Sequence, residues 1–215
     1  MNNIFKRIFG TKKKDEKKLD ETGYRALKIV SDTLTRLGYK HHVDFGTLLG
    51  QIREGGFISH DLDIDFSVYE DCDFIVLKQA LQAEGVKFVH GFLYEGHVTE
   101  ITMTYKHITI DFFKCFCGDE EQYYFLYGRF DKSFRYPHGT KQAVKRITPK
   151  VTGPKKEKVA GQVDISVPIN AEDLLESEYG ADWRIPNPNW SINLSDEHLR
   201  VMSVLGRKIK KLSGQ

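Results

Sequence analysis

Residues 43–69 read VDFGTLLGQIREGGFISHDLDIDFSVY. Two halves of this stretch decide the fold. In the first, a small-residue step, Gly46-Thr47, opens a short helix that reaches about Arg53, and Glu54-Gly55-Gly56 breaks it. In the second, a strand over about Leu62–Val68 carries Asp63 and Asp65 two residues apart. Side chains alternate along a strand, so both carboxylates project from one face while Ile64 and Phe66 point into a core. Gly46 lets the backbone approach a ligand closely. Thr47 offers a hydroxyl, and the first amides of a helix are a ready site for phosphate oxygens.

Two carboxylates at this spacing repel each other, and a divalent cation removes the conflict. All-oxygen ligands suit Mg²⁺ or Mn²⁺. Downstream, Ile108, Ile110 and Phe112 share one face of a strand and Thr109, Asp111 and Phe113 the other. Asp111 is therefore the natural third carboxylate, suited to bind metal or to take a proton from an attacking hydroxyl. Asp-x-Asp alone is common at sheet edges, and Gly-Thr before a helix is often only a capped turn. In this order, with Asp111 downstream, they point to a metal-binding active site.

Working outward, a helix is predicted over about Asp20–Leu37, with Leu27, Val30, Leu34 and Leu37 as one buried stripe and Gly38 at its end. A strand follows near Lys40–Phe45. Asp71-Cys72-Asp73 opens another helix, with acidic residues at its positive end, that closes at Gly85. Strands are expected near Val86–Tyr94, Val98–Tyr105 and His107–Phe113. Residues 118–165 read as irregular strands and loops. A helix over about Ala171–Tyr179 precedes a Pro-rich turn, and a final amphipathic helix is expected from Ser195, with Leu199, Met202, Leu205, Ile209 and Leu212 as its stripe. The expected architecture is α+β, a mixed β-sheet flanked by helices with a C-terminal helical elaboration.

The chain has 215 residues, 40% of them apolar, enough to bury a core without staples. Its net charge of +2 is too small to argue for nucleic acid. That charge is uneven: residues 1–18 carry a local +5, with Ile4, Phe5, Ile8 and Phe9 at helical spacing among lysines. Such a basic amphipathic segment can lie on an anionic membrane surface, or remain a solvated terminus. The expected organisation is this segment followed by a single catalytic domain over residues 19–215. Cys72, Cys115 and Cys117 form an odd set, and the start of the chain lacks the apolar run of a secretory signal, so reduced thiols in a cytoplasmic protein are expected. Cys115 and Cys117 alternate as in an ordinary strand. The aromatic run Tyr123, Tyr124, Phe125, Tyr127, Phe130, Phe134 and Tyr136 reads as strand core, or as a surface that stacks on a base or sugar or encloses a quaternary ammonium.

The segments Gly46-Thr47-Leu48-Leu49-Gly50, Arg53, Gly56-Phe57-Ile58 and Asp61-Leu62-Asp63-Ile64-Asp65 resemble the LicD family, which includes the fukutin-related proteins. Val167-Pro168, Leu174-Leu175 and Tyr179-Gly180-Ala181-Asp182-Trp183 with Pro186 resemble its late Tyr-Gly-x-x-Trp element. The resemblance implies a nucleotidyltransferase-like fold. It also implies a phosphotransferase that moves a phosphorylated alcohol from a CDP-linked donor to a glycan or lipid-linked glycan, releasing CMP. Asp63, Asp65 and Asp111 would hold the metal, Gly46 and Thr47 would flank the donor diphosphate, and Arg53 would neutralise phosphate. Leu62 stands where many members have another Asp, so Asp61 and Leu62 are not carried over as essential; His60 replaces a frequent Trp. The same residues also suit transfer of a nucleoside monophosphate from an NTP, or non-catalytic binding of a glycan or nucleotide.

Overall fold

Sixteen residues of one periodic stretch begin the fold: helix α1 (Glu21–Arg36) buries Ala26, Leu27, Val30 and Leu34 on one side. Each fully buried leucine or valine of that stripe contributes roughly 1.5–3 kcal/mol. Gly38, at φ 73°, takes the left-handed position after the helix, and the Tyr39 amide closes back onto the Leu34 carbonyl. The structure is a computed structural model that describes residues 19, 21–59, 61–151, 156–160 (backbone only), 163–187 and 189–212. The basic segment 1–18 and His60 lie outside the described residues.

The order that follows is β1 (His41–Val43), α2 (Phe45–Arg53), β2 (Asp63–Tyr69), α3 (Phe74–Ala83), β3 (Lys87–Tyr94), β4 (His97–Tyr105), β5 (Ile108–Cys117), β6 (Glu121–Gly128), β7 (Thr140–Pro149), β8 (Lys156–Ala160), β9 (Val163–Val167), α4 (Ala171–Tyr179) and β10 (Leu199–Ile209). Asp73 caps α3, accepting from the Ile75 and Val76 amides. Eight strands form one sheet in the order β1-β2-β5-β4-β3-β10-β7-β6, and β8 and β9 pair separately. β2 and β5 run parallel, and the other pairings of the sheet are antiparallel. The architecture is thus α+β with a mixed sheet, as expected from the pattern.

One face of β2, β4 and β5 is apolar. Ile64, Phe66, Ile101, Met103, Ile110 and Phe112 form a core with α1 and α3, and α4 and β9 join the same cluster through Leu174, Leu175 and Ile165. The opposite face of those strands is polar and carries the site.

Two regions differ from the sequence reading. Residues 118–165 contain regular strands, β6 to β9, which pair with partners distant in sequence. The expected C-terminal helix is instead strand β10, inserted between β3 and β7. The C-terminal helical elaboration is therefore α4, not a terminal helix. The physical reason is a register shift between Val201 and Leu205, which breaks the two-residue alternation and leaves apolar residues at three- and four-residue spacing. Gly206 also favours the strand: a Cβ there would sit 2.1 Å from the Tyr127 ring, so the missing side chain lets that ring pack against β10. A two-residue pairing of β5 with β6 completes a ring, β5-β4-β3-β10-β7-β6.

Candidate active site

The parallel register places Asp63 beside Thr109 and Asp65 beside Asp111, and Asp111 opposite Thr102 of β4. Even-numbered neighbours Ile64, Phe66, Ile110 and Phe112 are buried on the other side. The alternation thus delivers three carboxylates to one face, as the sequence implied. Ligand atoms of Asp63, Asp65 and Asp111 lie within 4.8 Å of one another, close enough for one cation to bridge them.

Their surroundings explain why they stay there. Thr47 Oγ1 accepts the Asp65 amide at 3.0 Å, fixing β2 against the first turn of α2. Asp44 caps that helix, accepting from the Phe45 amide at 2.9 Å and from Ser67 Oγ at 2.5 Å. Thr102 Oγ1 donates to Asp111 Oδ1 at 2.5 Å. Asp111 Oδ2 is buried and has no protein partner. Burial, with the charge of Asp63, pushes the Asp111 carboxyl up to about 8. Burial likewise raises Asp65 and Asp63, with Asp63 and then Asp61 adding to the effect on Asp65. An orphaned buried oxygen among mutually repelling carboxyls is what a divalent cation would satisfy, so the donor set fits one.

Asp61, set aside in the sequence reading, belongs to this group. Burial, followed by the charge of Asp63 beside it, raises it well above the carboxylate range. Its Oδ2 is buried without a partner. It lies against Gly46, where a Cβ would come within 2.4 Å of that oxygen. The close approach expected at Gly46 is thus made by Asp61. The Thr47 hydroxyl, completely buried, faces the backbone of β2. Arg53 bonds to Glu54 at 2.7 Å and to the Trp183 carbonyl at 3.3 Å. That second bond ties the early motif to the late Tyr-Gly-x-x-Trp element.

The late element walls the cleft. Tyr179 packs on Trp190 with ring centroids 4.7 Å apart. Arg146 donates to the Ser177 and Glu178 carbonyls, and Tyr124 donates to Glu178 Oε1 at 2.5 Å. Phe45, Phe113, Tyr127, Tyr179 and Trp190 line an aromatic recess that reaches Asp65 and Glu100. Of the aromatic run 123–136, Tyr124 and Tyr127 are core residues, Tyr127 also facing the recess, while Phe134 is exposed. Cys115 is buried and Cys117 exposed on β5, both as free thiols.

Glu100 was missed. It is 4% exposed and lies on the polar face of β4, opposite Phe113. Burial, then the charge of Asp111, raises it well above its usual range. The signal was present: Glu100, Thr102 and Thr104 alternate with Ile101 and Met103, marking the face that meets Asp111.

Comparison with known proteins identifies relatives of the chain. The mouse (Mus musculus) protein named ribitol-5-phosphate transferase FKTN is 27% identical over 168 residues, covering 76% of this chain and 33% of that protein. The chain thus spans about a third of the length of the curated relative it matches. The sequence profile described as LicD/FKTN/FKRP, nucleotidyltransferase domain, matches residues 38–152, the span that holds α2, the Asp63/Asp65 strand and Asp111. That match covers more than half of the chain, and with it the chain belongs to the LicD/FKTN/FKRP nucleotidyltransferase-domain family.

Proposed function

We propose that the chain is a Mg²⁺- or Mn²⁺-dependent phosphotransferase of nucleotidyltransferase-like fold. It moves a phosphorylated alcohol from a CDP-linked donor to a hydroxyl of a glycan or lipid-linked glycan, releasing CMP. The observation that carries this reading is the carboxylate set Asp63, Asp65 and Asp111 on adjacent parallel strands, with Asp111 Oδ2 buried and unpaired. The mouse transferase named above supports the substrate class.

Asp63, Asp65 and Asp111 would hold the ion, which would supply positive charge against the donor diphosphate. The chain's own residues do the rest. Gly46 and Thr47 keep the first turn of α2 against Asp61 and Asp65, flanking the place of the diphosphate. Arg53 adds positive charge at the far end of α2. Thr102 occupies Asp111 Oδ1 and leaves Oδ2 for the cation or for the proton of the attacking hydroxyl. Alignment and charge neutralisation are most of what phosphoryl transfer requires.

The test is incubation with Mg²⁺, a panel of CDP-alcohols and NTPs, and an acceptor extract, followed by identification of the nucleotide product. CMP is the expected product. Pyrophosphate would replace this reading with nucleotidyl transfer, and neither product would leave a binding protein.

No described helix is long and apolar enough to cross a membrane. We place the protein in the cytoplasm, in peripheral contact with anionic lipid through residues 1–18. The chain should sediment with anionic vesicles at low salt, and a form lacking residues 1–18 should not.

A further inference from the structure

Beyond Asp111 the polar face continues into a cavity of about 380 Å³ lined by residues of β3 to β7 and β10. Its walls are Glu100, Thr102, Thr104 and Thr109 on one side and Lys141 and Lys208 on the other, with His90, Phe92 and Tyr127 between. None of these belongs to the motifs at Gly46 or Asp63. The Lys141 and Lys208 ammonium groups lie 5.1 Å and 6.0 Å from the centre of the Phe92 ring, so both are near one aromatic ring. Burial lowers both lysines, and the Glu100 charge opposes that effect at each of them. The almost fully buried Glu100 carboxylate has Asp111, Lys141 and Lys208 as its charged neighbours, and the two lysines offset part of the effect of its burial. His90 Nδ1 is also buried without a partner. Burial, then the Lys208 and Lys141 charges, holds His90 down to about 4, so it faces the cavity neutral.

These groups define a ligand by its chemistry. Two ammonium groups beside a single buried glutamate leave a positive excess that suits an anion. A buried carboxylate and several threonine hydroxyls call for hydroxyl donors a few ångströms away. A cavity of this size admits a small molecule carrying both. Thr102, which bonds Asp111 and lies 3.3 Å from His90 Nε2, links the cavity to the carboxylate cluster.

We propose that this cavity is a binding site for a hydroxylated phosphate, its phosphoryl group held by Lys141 and Lys208 and its hydroxyls by Glu100 and the threonines. Its use in the reaction rests on the function proposed above; its existence as a binding site does not. The phosphorylated alcohol comes either from the donor or from a phosphate on the acceptor, and both offer the same chemistry to the site.

The experiment is calorimetric titration of the whole chain in EDTA with sn-glycerol 3-phosphate, inorganic phosphate and glycerol. Glycerol 3-phosphate binds most tightly, inorganic phosphate less, and glycerol not measurably. Lys141→Met and Lys208→Met each weaken glycerol 3-phosphate by about tenfold. Glu100→Gln weakens it without weakening inorganic phosphate. Lys141→Arg and Lys208→Arg keep the charge and retain most of the binding. They separate a lost site from a lost fold, and melting curves of every variant check the same point. Binding of CDP-glycerol that falls with the lysine substitutions assigns the site to the donor; binding that does not fall, with both compounds bound together, assigns it to the acceptor. Glycerol 3-phosphate affinity that is unchanged in both Lys→Met variants overturns the site, whatever the turnover assay shows. Lysine-dependent binding in a protein that yields neither CMP nor pyrophosphate overturns the reaction and leaves the site.

Discussion

Strands β2 and β5 bring negative charge to the polar face, and strands β7 and β10 bring positive charge to the same face a short distance away. The two ends are built differently. The carboxylates are held by in-register parallel pairing, by Thr47 and Thr102, and by burial of their strand neighbours. The lysines are half-buried at the tips of long side chains over Phe92. The difference teaches that the acidic end is preorganised at a cost in folding stability that a bound cation would relieve, whereas the basic end could adjust to the proposed ligand.

The largest effect expected from breaking this contrast is at the acidic end. Asp63→Asn or Asp65→Asn should reduce turnover by about a thousandfold or more, the loss of several kcal/mol of charge stabilisation. The fold should persist, and the metal-free melting temperature should stay level or rise as repulsion is relieved. Near-normal turnover in both variants would remove the site assignment.

A second outcome concerns the junction between the two ends. Gly206→Ala would drive a methyl into Tyr127, which donates to or accepts from Thr99 at 2.6 Å and stacks on Phe92 at 4.5 Å. Overpacking of this kind costs about 1–3 kcal/mol. Denaturant melts should show that loss, and glycerol 3-phosphate binding should weaken with it. Cation binding at Asp63 and Asp65 should be spared, and a variant as stable as the parent would show that Tyr127 does not couple the ends.

The third outcome is a pH dependence. Asp111 titrates near 8 in the folded metal-free protein, well above an unfolded aspartate. The unfolded chain therefore loses its proton first, and stability present at pH 4 falls as pH rises toward 8, then levels. Melting in EDTA should be higher at pH 5 than at pH 8, and excess Mg²⁺ should narrow that gap by stabilising the ionised form. A flat profile in EDTA would mean that the carboxylates already share a partner.

The smallest outcome is at Arg53. Its partner Glu54 is partly exposed, so Arg53→Ala should cost less than about 1 kcal/mol of stability. Donor affinity should fall severalfold if the guanidinium meets phosphate. Unchanged affinity in a donor titration would leave Arg53 the task of holding the Trp183 carbonyl.

The same contrast governs what was legible in the sequence. Asp63, Asp65 and Asp111 could be placed because strand alternation is a local property, and α1 because its apolar stripe is periodic. Lys141 and Lys208 could not be placed, since nothing local to either predicts that β7 and β10 become neighbours. Asp61 was set aside because the adjacent Leu62 departs from the family pattern; its burial against Gly46 is a tertiary fact. β10 read as a helix because its irregular register between Val201 and Leu205 imitates helical spacing.

That strand also fixes an order of events in synthesis. β10 is the last described strand, yet it lies in the middle of the sheet between β3 and β7. A nascent chain that has emerged only to α4 can dock α1, α2 and α3 and align Asp63, Asp65 and Asp111, but it presents β3 and β7 as two unsatisfied edges. Until residues 199–209 arrive, those edges are open to other chains. Premature termination before Leu199 would thus yield a protein prone to aggregate, with the proposed cation site formed and Lys208 never made.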